Sequence, residues 1–143
     1  MPLPTLPTHV TLEIVTPDRS VVHEQVDEVE IPGDDGYFGV LPGHTPLLAM
    51  LQVGELWYRR GSEKVYLSIA FGFAEVLPDR VTVLAQLAEK ADEIDIARAE
   101  AARRRAEELI AKPVPEMDYE RARIALMKSL IRLQVATRSR TRV

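Results

Sequence analysis

The apolar positions of this chain follow two different periods, one on each side of residue 89. Early on, Val10, Leu12 and Ile14 alternate with polar neighbours, the two-residue period of a half-buried strand. Val26, Glu28 and Glu30 then alternate against Asp27, Val29 and Ile31, so the inward face changes near the start of that run and a β-bulge is expected there. Leu56–Tyr58 and Val65–Ile69 flank Arg59–Lys64, a hairpin with Gly61 in its turn. A second hairpin joins Phe71–Val76 to Val81–Leu87 through Leu77-Pro78-Asp79-Arg80, where the proline suits a tight turn. Short strands at regular spacing with many valines predict an antiparallel β-sandwich or flattened barrel.

Beyond residue 89 the period lengthens. Ile94–Ala111 contains no Gly or Pro and is dominated by Ala, Glu and Arg, all strong helix formers. Ala99, Ala102, Ala106 and Leu109 recur at steps of three and four, a narrow stripe that permits close helix approach. Lys112-Pro113-Val114-Pro115 ends this helix, and Asp118 is a good N-cap for a second one reaching about Thr137. Tyr119, Ala122, Leu126, Ser129, Leu133 and Ala136 form its seam, while Ile124, Met127, Leu130, Ile131 and Val135 widen its apolar face. The fold class is therefore α+β in two domains, residues 1–88 a β-domain and 89–143 an antiparallel helical hairpin. Residues 1–8, with three prolines, read as an extended arm, and 138–143 as a loose basic tail. The small-residue stripe buries little area, so the hairpin is expected to be weakly held and able to move.

One stretch fits neither period. Pro32–Leu48 holds four glycines and three prolines in seventeen residues, yet carries Phe38, Val40, Leu41, Leu47 and Leu48. A solvated loop has little use for those side chains, and a plain strand tolerates little Gly and Pro. A sharply shaped β-region presenting an apolar docking surface is the expectation.

Charge sharpens the division. Residues 1–88 carry 12 acids against 5 bases, whereas residues 89–143 carry 10 acids against 13 bases. From Lys128 onward there are five bases and no acid. No aromatic side chains interleave with those arginines, which argues against nucleic acid as a partner. No run approaches the roughly 18 apolar residues of a membrane span, and the N-terminus lacks the pattern of a signal peptide. The absence of cysteine excludes disulfides and thiolate chemistry.

Catalytic chemistry is mostly refused. His9, His23 and His44 lie apart without metal-ligand spacing, so neither a metal site nor a catalytic residue is assigned. Gly36, Gly39 and Gly43 hint at a phosphate cradle, but no Gly-Lys-Ser/Thr follows and Pro42 and Pro46 interrupt any helix there. One charged cluster survives: Glu89, Asp95, Arg98, Arg105, Lys128 and Arg132. Cations from two facing helices repel unless an anion sits between them, and arginine forks readily onto phosphate oxygens. Spacing alone favours the plainer alternative, solvated charges with i,i+4 partners such as Glu100 with Arg104.

Four motifs carry a family resemblance over roughly Thr8 to Thr137. They are the block Gly36-Tyr37-Phe38-Gly39-Val40-Leu41-Pro42-Gly43-His44-Thr45-Pro46-Leu47-Leu48, the segments Phe71–Val76 and Val81–Ala85, and Ile94-Asp95-Ile96-Ala97-Arg98-Ala99. In order and spacing the chain resembles the epsilon subunits of bacterial F-type ATP synthases. That resemblance implies a non-catalytic rotor component that needs no cofactor. Its β-sandwich would bind the gamma subunit and the ring of c subunits, coupling proton-driven rotation to ATP synthesis. Tyr37, Phe38, Val40, Leu41, Pro42 and His44 would lie at that rotor interface. The hairpin would lie against the sandwich or extend into the alpha/beta catalytic head and block ATP hydrolysis. The implied location is peripheral, on the cytoplasmic face of the bacterial plasma membrane.

The same resemblance implies a regulatory ATP held by Glu89, Asp95, Arg98, Arg105, Lys128 and Arg132. Lys128 stands where the nucleotide-binding relatives carry Arg, keeping the charge but losing the planar fork. Tyr37 also departs, since several relatives carry an acidic or polar residue there. The alternative reading is a stand-alone ATP-sensing module.

Overall fold

The structure is a computed structural model that describes residues 5–112, 114–115 and 118–140, and all their side chains but that of Arg140. Residues 1–4 of the expected arm, Pro113 of the expected helix stop and residues 141–143 of the basic tail lie outside these. Residues 5–7 of the arm have no regular structure. The chain divides into two compact units, residues 1–89 and 90–143.

The first unit contains β1 (Val10–Val15), β2 (Ser20–Val26), β3 (Glu28–Gly33), β4 (Gly36–Val40), β5 (Leu47–Leu51), β6 (Gly54–Arg60), β7 (Glu63–Val76) and β8 (Arg80–Lys90). Hydrogen bonding runs in the order β2-β1-β8-β7-β5-β3-β4, with β6 bridging β3 and β7. Two strands change partners part-way, and this folds the sheet over its own core. β7 pairs with β6 from Glu63 to Ile69 and with β5 from Gly72 to Val76. β3 pairs with β6 at Glu28–Glu30 and with β5 at Gly33. Between the inner faces lie Leu12, Ile14, Val29, Ile31, Val40, Leu56, Leu67, Ile69 and Val83, with Phe38 and Val65 packed at the margin.

Three details differ from the sequence reading. First, β1 pairs with β8 in parallel, so the sandwich is not wholly antiparallel. Second, the change of face near Val26 is a break between β2 and β3 at Asp27 rather than a bulge within one strand. The Asp27 carboxylate accepts the Gly61 amide at 2.6 Å, and its own N–H donates to the Arg59 carbonyl at 2.8 Å, which anchors the break to the β6–β7 turn. Third, Val65–Ile69 and Phe71–Val76 are one long strand, bent where Phe71 and Gly72 take φ of 61° and 117°. Composition hid this, because the apolar run is continuous through the bend.

The second unit opens with a 3-10 turn, Ala91–Glu93, followed by α1 (Ile96–Ala111) and α2 (Tyr119–Arg140). Asp95 caps α1 by accepting the Arg98 amide at 3.1 Å, and Asp118 caps α2 by accepting that of Arg121 at 3.1 Å. The helices pack along each other, and α2 also reaches the 3-10 turn at the start of the unit, so they run antiparallel. Small side chains at seven-residue spacing are buried: Ala99 and Ala106 on α1, and Ala122, Ser129 and Ala136 on α2. Two expected seam members are instead exposed, Leu109 and Tyr119. Both sit beside the interhelical link, where the helix pair runs out of partner surface. Of the wider apolar face of α2, Val135 is buried, Ile124, Met127 and Ile131 are half-buried, and Leu130 is exposed.

Candidate docking face and nucleotide site

The glycine- and proline-rich block becomes two turns and an edge strand. β3 turns into β4 through Asp34 and Asp35, both exposed. After β4, Leu41-Pro42-Gly43-His44 forms a tight turn closed by the His44 amide donating to the Leu41 carbonyl at 3.2 Å. Proline in its second position and a glycine with φ of 85° in its third suit a type II turn. The Gly43 amide donates to the Pro78 carbonyl at 2.8 Å, and the Thr11 amide to the Asp79 carbonyl at 2.9 Å. Two loops and the start of β1 are thus tied together at one end of the sandwich. His44 Nδ1 donates to the Thr45 carbonyl at 2.6 Å.

On this braced frame Leu41, Leu47, Leu48 and Met50 are exposed, Leu48 to 68% and Met50 to 63%. Tyr37 is half exposed, while Pro42 and His44 are intermediate. Two residues singled out from sequence turn inward: Val40 is fully buried in the core, and Phe38 packs against it. Neighbouring strands extend the apolar face in a way the sequence did not reveal. Met50 stands opposite Phe73 on β7, and both line an open cleft of about 700 Å³ with Leu84, Phe71 and Val15. Unbroken apolar runs such as Leu47–Leu51 conceal which members face outward, and only pairing resolves it.

The charged cluster is spread over several elements. Glu89 ends the first unit, half-buried on β8. Within the second unit, the Asp95 carboxylate is engaged by the Arg98 amide. Arg98 and Arg105 are exposed on α1, each one residue before a buried alanine of the seam. Lys128 and Arg132 are half-buried on α2, and Lys128 directly precedes the buried Ser129. Lys128 also lines a shallow depression of about 330 Å³ with Asp118, Glu120, Arg121 and Ile124, where acidic and basic groups are mixed. The expected pairing of Glu100 with Arg104 is replaced by Glu100 with Arg103, at 2.6 Å, one position closer along the helix. Arg103 also lies 3.6 Å from Glu107, and the Glu100 hydrogen bond leads in raising its guanidinium pKa. Among the described residues no cluster of His, Cys, Asp or Glu is arranged to hold a metal ion, and no helix is long and apolar enough to cross a membrane.

Two family models cover nearly the whole chain. Residues 9–91 match the β-sandwich domain of the ATP synthase delta/epsilon chain, and residues 92–137 match its long α-helix domain. The chain belongs to the ATP synthase delta/epsilon family. It is 51% identical over 128 residues to ATP synthase epsilon chain 2 of Syntrophotalea carbinolica, covering 89% of this chain and 93% of that one. It is 50% identical to the ATP synthase epsilon chain of Syntrophobacter fumaroxidans, covering 91% and 97% of the two chains. Among solved structures, a chain of the Euglena gracilis mitochondrial ATP synthase (OSCP/F1/c-ring, rotational state 1) matches with a TM-score of 0.80 and 26% identity, over 94% of this chain and 84% of that one. The resemblance to bacterial ATP synthase epsilon chains, read from Gly36–Leu48, Phe71–Val76, Val81–Ala85 and Ile94–Ala99, is thus borne out. Members of this family are subunits of a larger synthase rather than enzymes in themselves.

Proposed function

We propose that this chain is the epsilon subunit of a bacterial F-type ATP synthase, a central-stalk component coupling proton-driven rotation of the c ring to ATP synthesis. The observation that carries this reading is the exposed apolar face on a hydrogen-bonded frame. Leu48 and Met50 share one side of β5, and Leu41 and Leu47 are exposed in the same segment, in a chain whose relatives are ATP synthase epsilon chains. An apolar patch of this kind marks a protein interface. Its partners in this reading are gamma and the c ring, on the cytoplasmic face of the plasma membrane. Leu48→Asp places a charge on the outward side of β5 without touching the core. It should abolish binding of the full chain to a gamma–c-ring subcomplex lacking this subunit, and undiminished binding would remove the docking reading.

The helical unit is the regulatory part in this proposal: it inhibits ATP hydrolysis by reaching the alpha/beta head. Its seam of Ala99, Ala106, Ala122 and Ala136 buries small side chains, so little apolar area opposes its rearrangement. Truncation after Glu89 should leave assembly intact and raise hydrolysis by the complex. Unchanged hydrolysis would count against inhibition.

A regulatory ATP is the second element. Arg98 and Arg105 present exposed guanidinium groups on α1, close to the seam where Lys128 also stands, a source of phosphate-binding charge. A nucleotide that favours one state of the hairpin shifts it by mass action. Calorimetry with ATP on the parent and on Arg98→Ala/Arg105→Ala tests this. Heat in the parent and none in the double variant is expected, and no heat in the parent at millimolar ATP ends the proposal.

A further inference from the structure

The cleft beside Met50 carries an acidic rim. Met50 and Phe73 are cross-strand partners on β5 and β7, and Val15 and Leu84 are partners on β1 and β8. β7 and β8 are neighbours in the sheet, and all four residues line the same cleft of about 700 Å³. Met50, Phe73 and Leu84 are exposed, so an apolar row crosses the strands and opens outward.

Two residues along each strand, on the same side, the character changes. Glu75 follows Phe73 by two positions and stands opposite Leu48, while Glu13 precedes Val15 by two and stands opposite Thr82. Each end of the row also meets a carboxylate. Pro17 lines the cleft at one end and is followed by the exposed Asp18. At the other end the Asp34 amide donates to the Met50 carbonyl at 2.8 Å, which holds the exposed Asp34 beside β5. Arg19 is the one base within two residues of a lining position. The rim concentrates the acid excess of residues 1–88, where 12 acids stand against 5 bases. Such a rim repels anionic membranes and nucleic acids and attracts cationic protein surfaces.

We propose that this cleft binds a protein segment carrying an apolar anchor flanked by lysine or arginine. The apolar row holds the anchor, and Glu13, Asp18, Asp34 and Glu75 draw in the flanking cations. This rests on the docking reading above and adds the chemistry of the segment that docks. The two parts act on different rates: charge attraction speeds association, whereas the buried anchor slows dissociation.

The test follows association and dissociation of the full chain with a gamma–c-ring subcomplex lacking this subunit, over a range of salt. Association of the parent should slow about tenfold between low salt and about 500 mM. Glu13→Gln/Glu75→Gln should slow association about fivefold at low salt and flatten its salt dependence. Asp92→Asn/Glu108→Gln removes the same charge from exposed positions of the second unit and should associate like the parent. Phe73→Ala, and the more exposed Met50→Ala, should speed dissociation about tenfold with little change in association. Association indifferent to salt overturns the basic partner, as does a Glu13→Gln/Glu75→Gln variant no slower than Asp92→Asn/Glu108→Gln. Parent-like dissociation of both alanine variants overturns the anchor. Leu48→Asp then shows how much falls. If it loses binding, the docking reading stands without this cleft; if it binds like the parent, the docking reading fails as well.

Discussion

Gly72 approaches Leu84 so closely that a Cβ on Gly72 would stand 2.0 Å from the Leu84 carbonyl oxygen. This contact lies at the bend of β7, where the strand leaves β6 for β5. Leu84 O belongs to the backbone of β8 and cannot swing away, and the φ of 117° at Gly72 is unfavourable for any other residue. Gly72→Ala should therefore destabilise the chain by more than about 3 kcal/mol. Gly39→Ala, with open space around it, should change stability by no more than about 1 kcal/mol. Urea unfolding of both variants checks this, and equal midpoints would contradict it.

Asp27 predicts an acid-sensitive contribution. The Gly61 amide does most to hold its carboxyl below the ordinary 3.8; partial burial opposes it, and His9 and Arg59 add to the lowering. His9 Nδ1 lies 3.1 Å and Arg59 Nη1 3.5 Å from the carboxylate. A depressed folded value means the contribution is complete above 3.8 and lost as pH falls through the lower folded value. The stability gap between the parent and Asp27→Ala should be widest above that pH and narrow on acidification. A gap that stays constant down to acid unfolding would contradict the assignment.

Asp95 caps α1 and, under the proposed nucleotide reading, would also be a ligand; substitution separates the two. As the cap of α1, its replacement by Ala should cost about 1 kcal/mol, while Asn should preserve the cap. Faster exchange of the Arg98 amide in Asp95→Ala, but not in Asp95→Asn, is the expected reading. Loss of ATP binding in Asp95→Asn would then report the ligand role alone.

Val40 and Leu48 divide one sequence block between core and surface. Val40 is fully buried, so Val40→Asp puts a carboxylate among apolar side chains and should unfold the chain. Leu48→Asp should leave the unfolding midpoint within about a degree or two, as most exposed substitutions do. Similar stabilities for the two variants would show that the block is arranged differently.

Much of the fold was legible because local rules left little choice. Alternation at Val10, Leu12 and Ile14 predicted β1, and Gly61 and Pro78 marked the turns. Asp95 and Asp118 marked both helix starts through the same capping hydrogen bond. The Gly36–Leu48 block and the Ile94–Ala99 motif were enough to place the family. Leu109 and Tyr119 misled because spacing records which face a residue shares, not how far along the helices the partner extends.

Sequence by itself determined the two periods, the turns, the caps and the family. Tertiary structure decided which members of apolar runs face outward, and how one continuous apolar segment became a strand serving two partners. It set Val40 inside and Leu48 outside, and it brought the Tyr37 hydroxyl to the Glu55 amide. The reason is physical: local pattern reflects the chain's own geometry, whereas burial and cross-strand contacts depend on where another strand begins to pair and where it leaves.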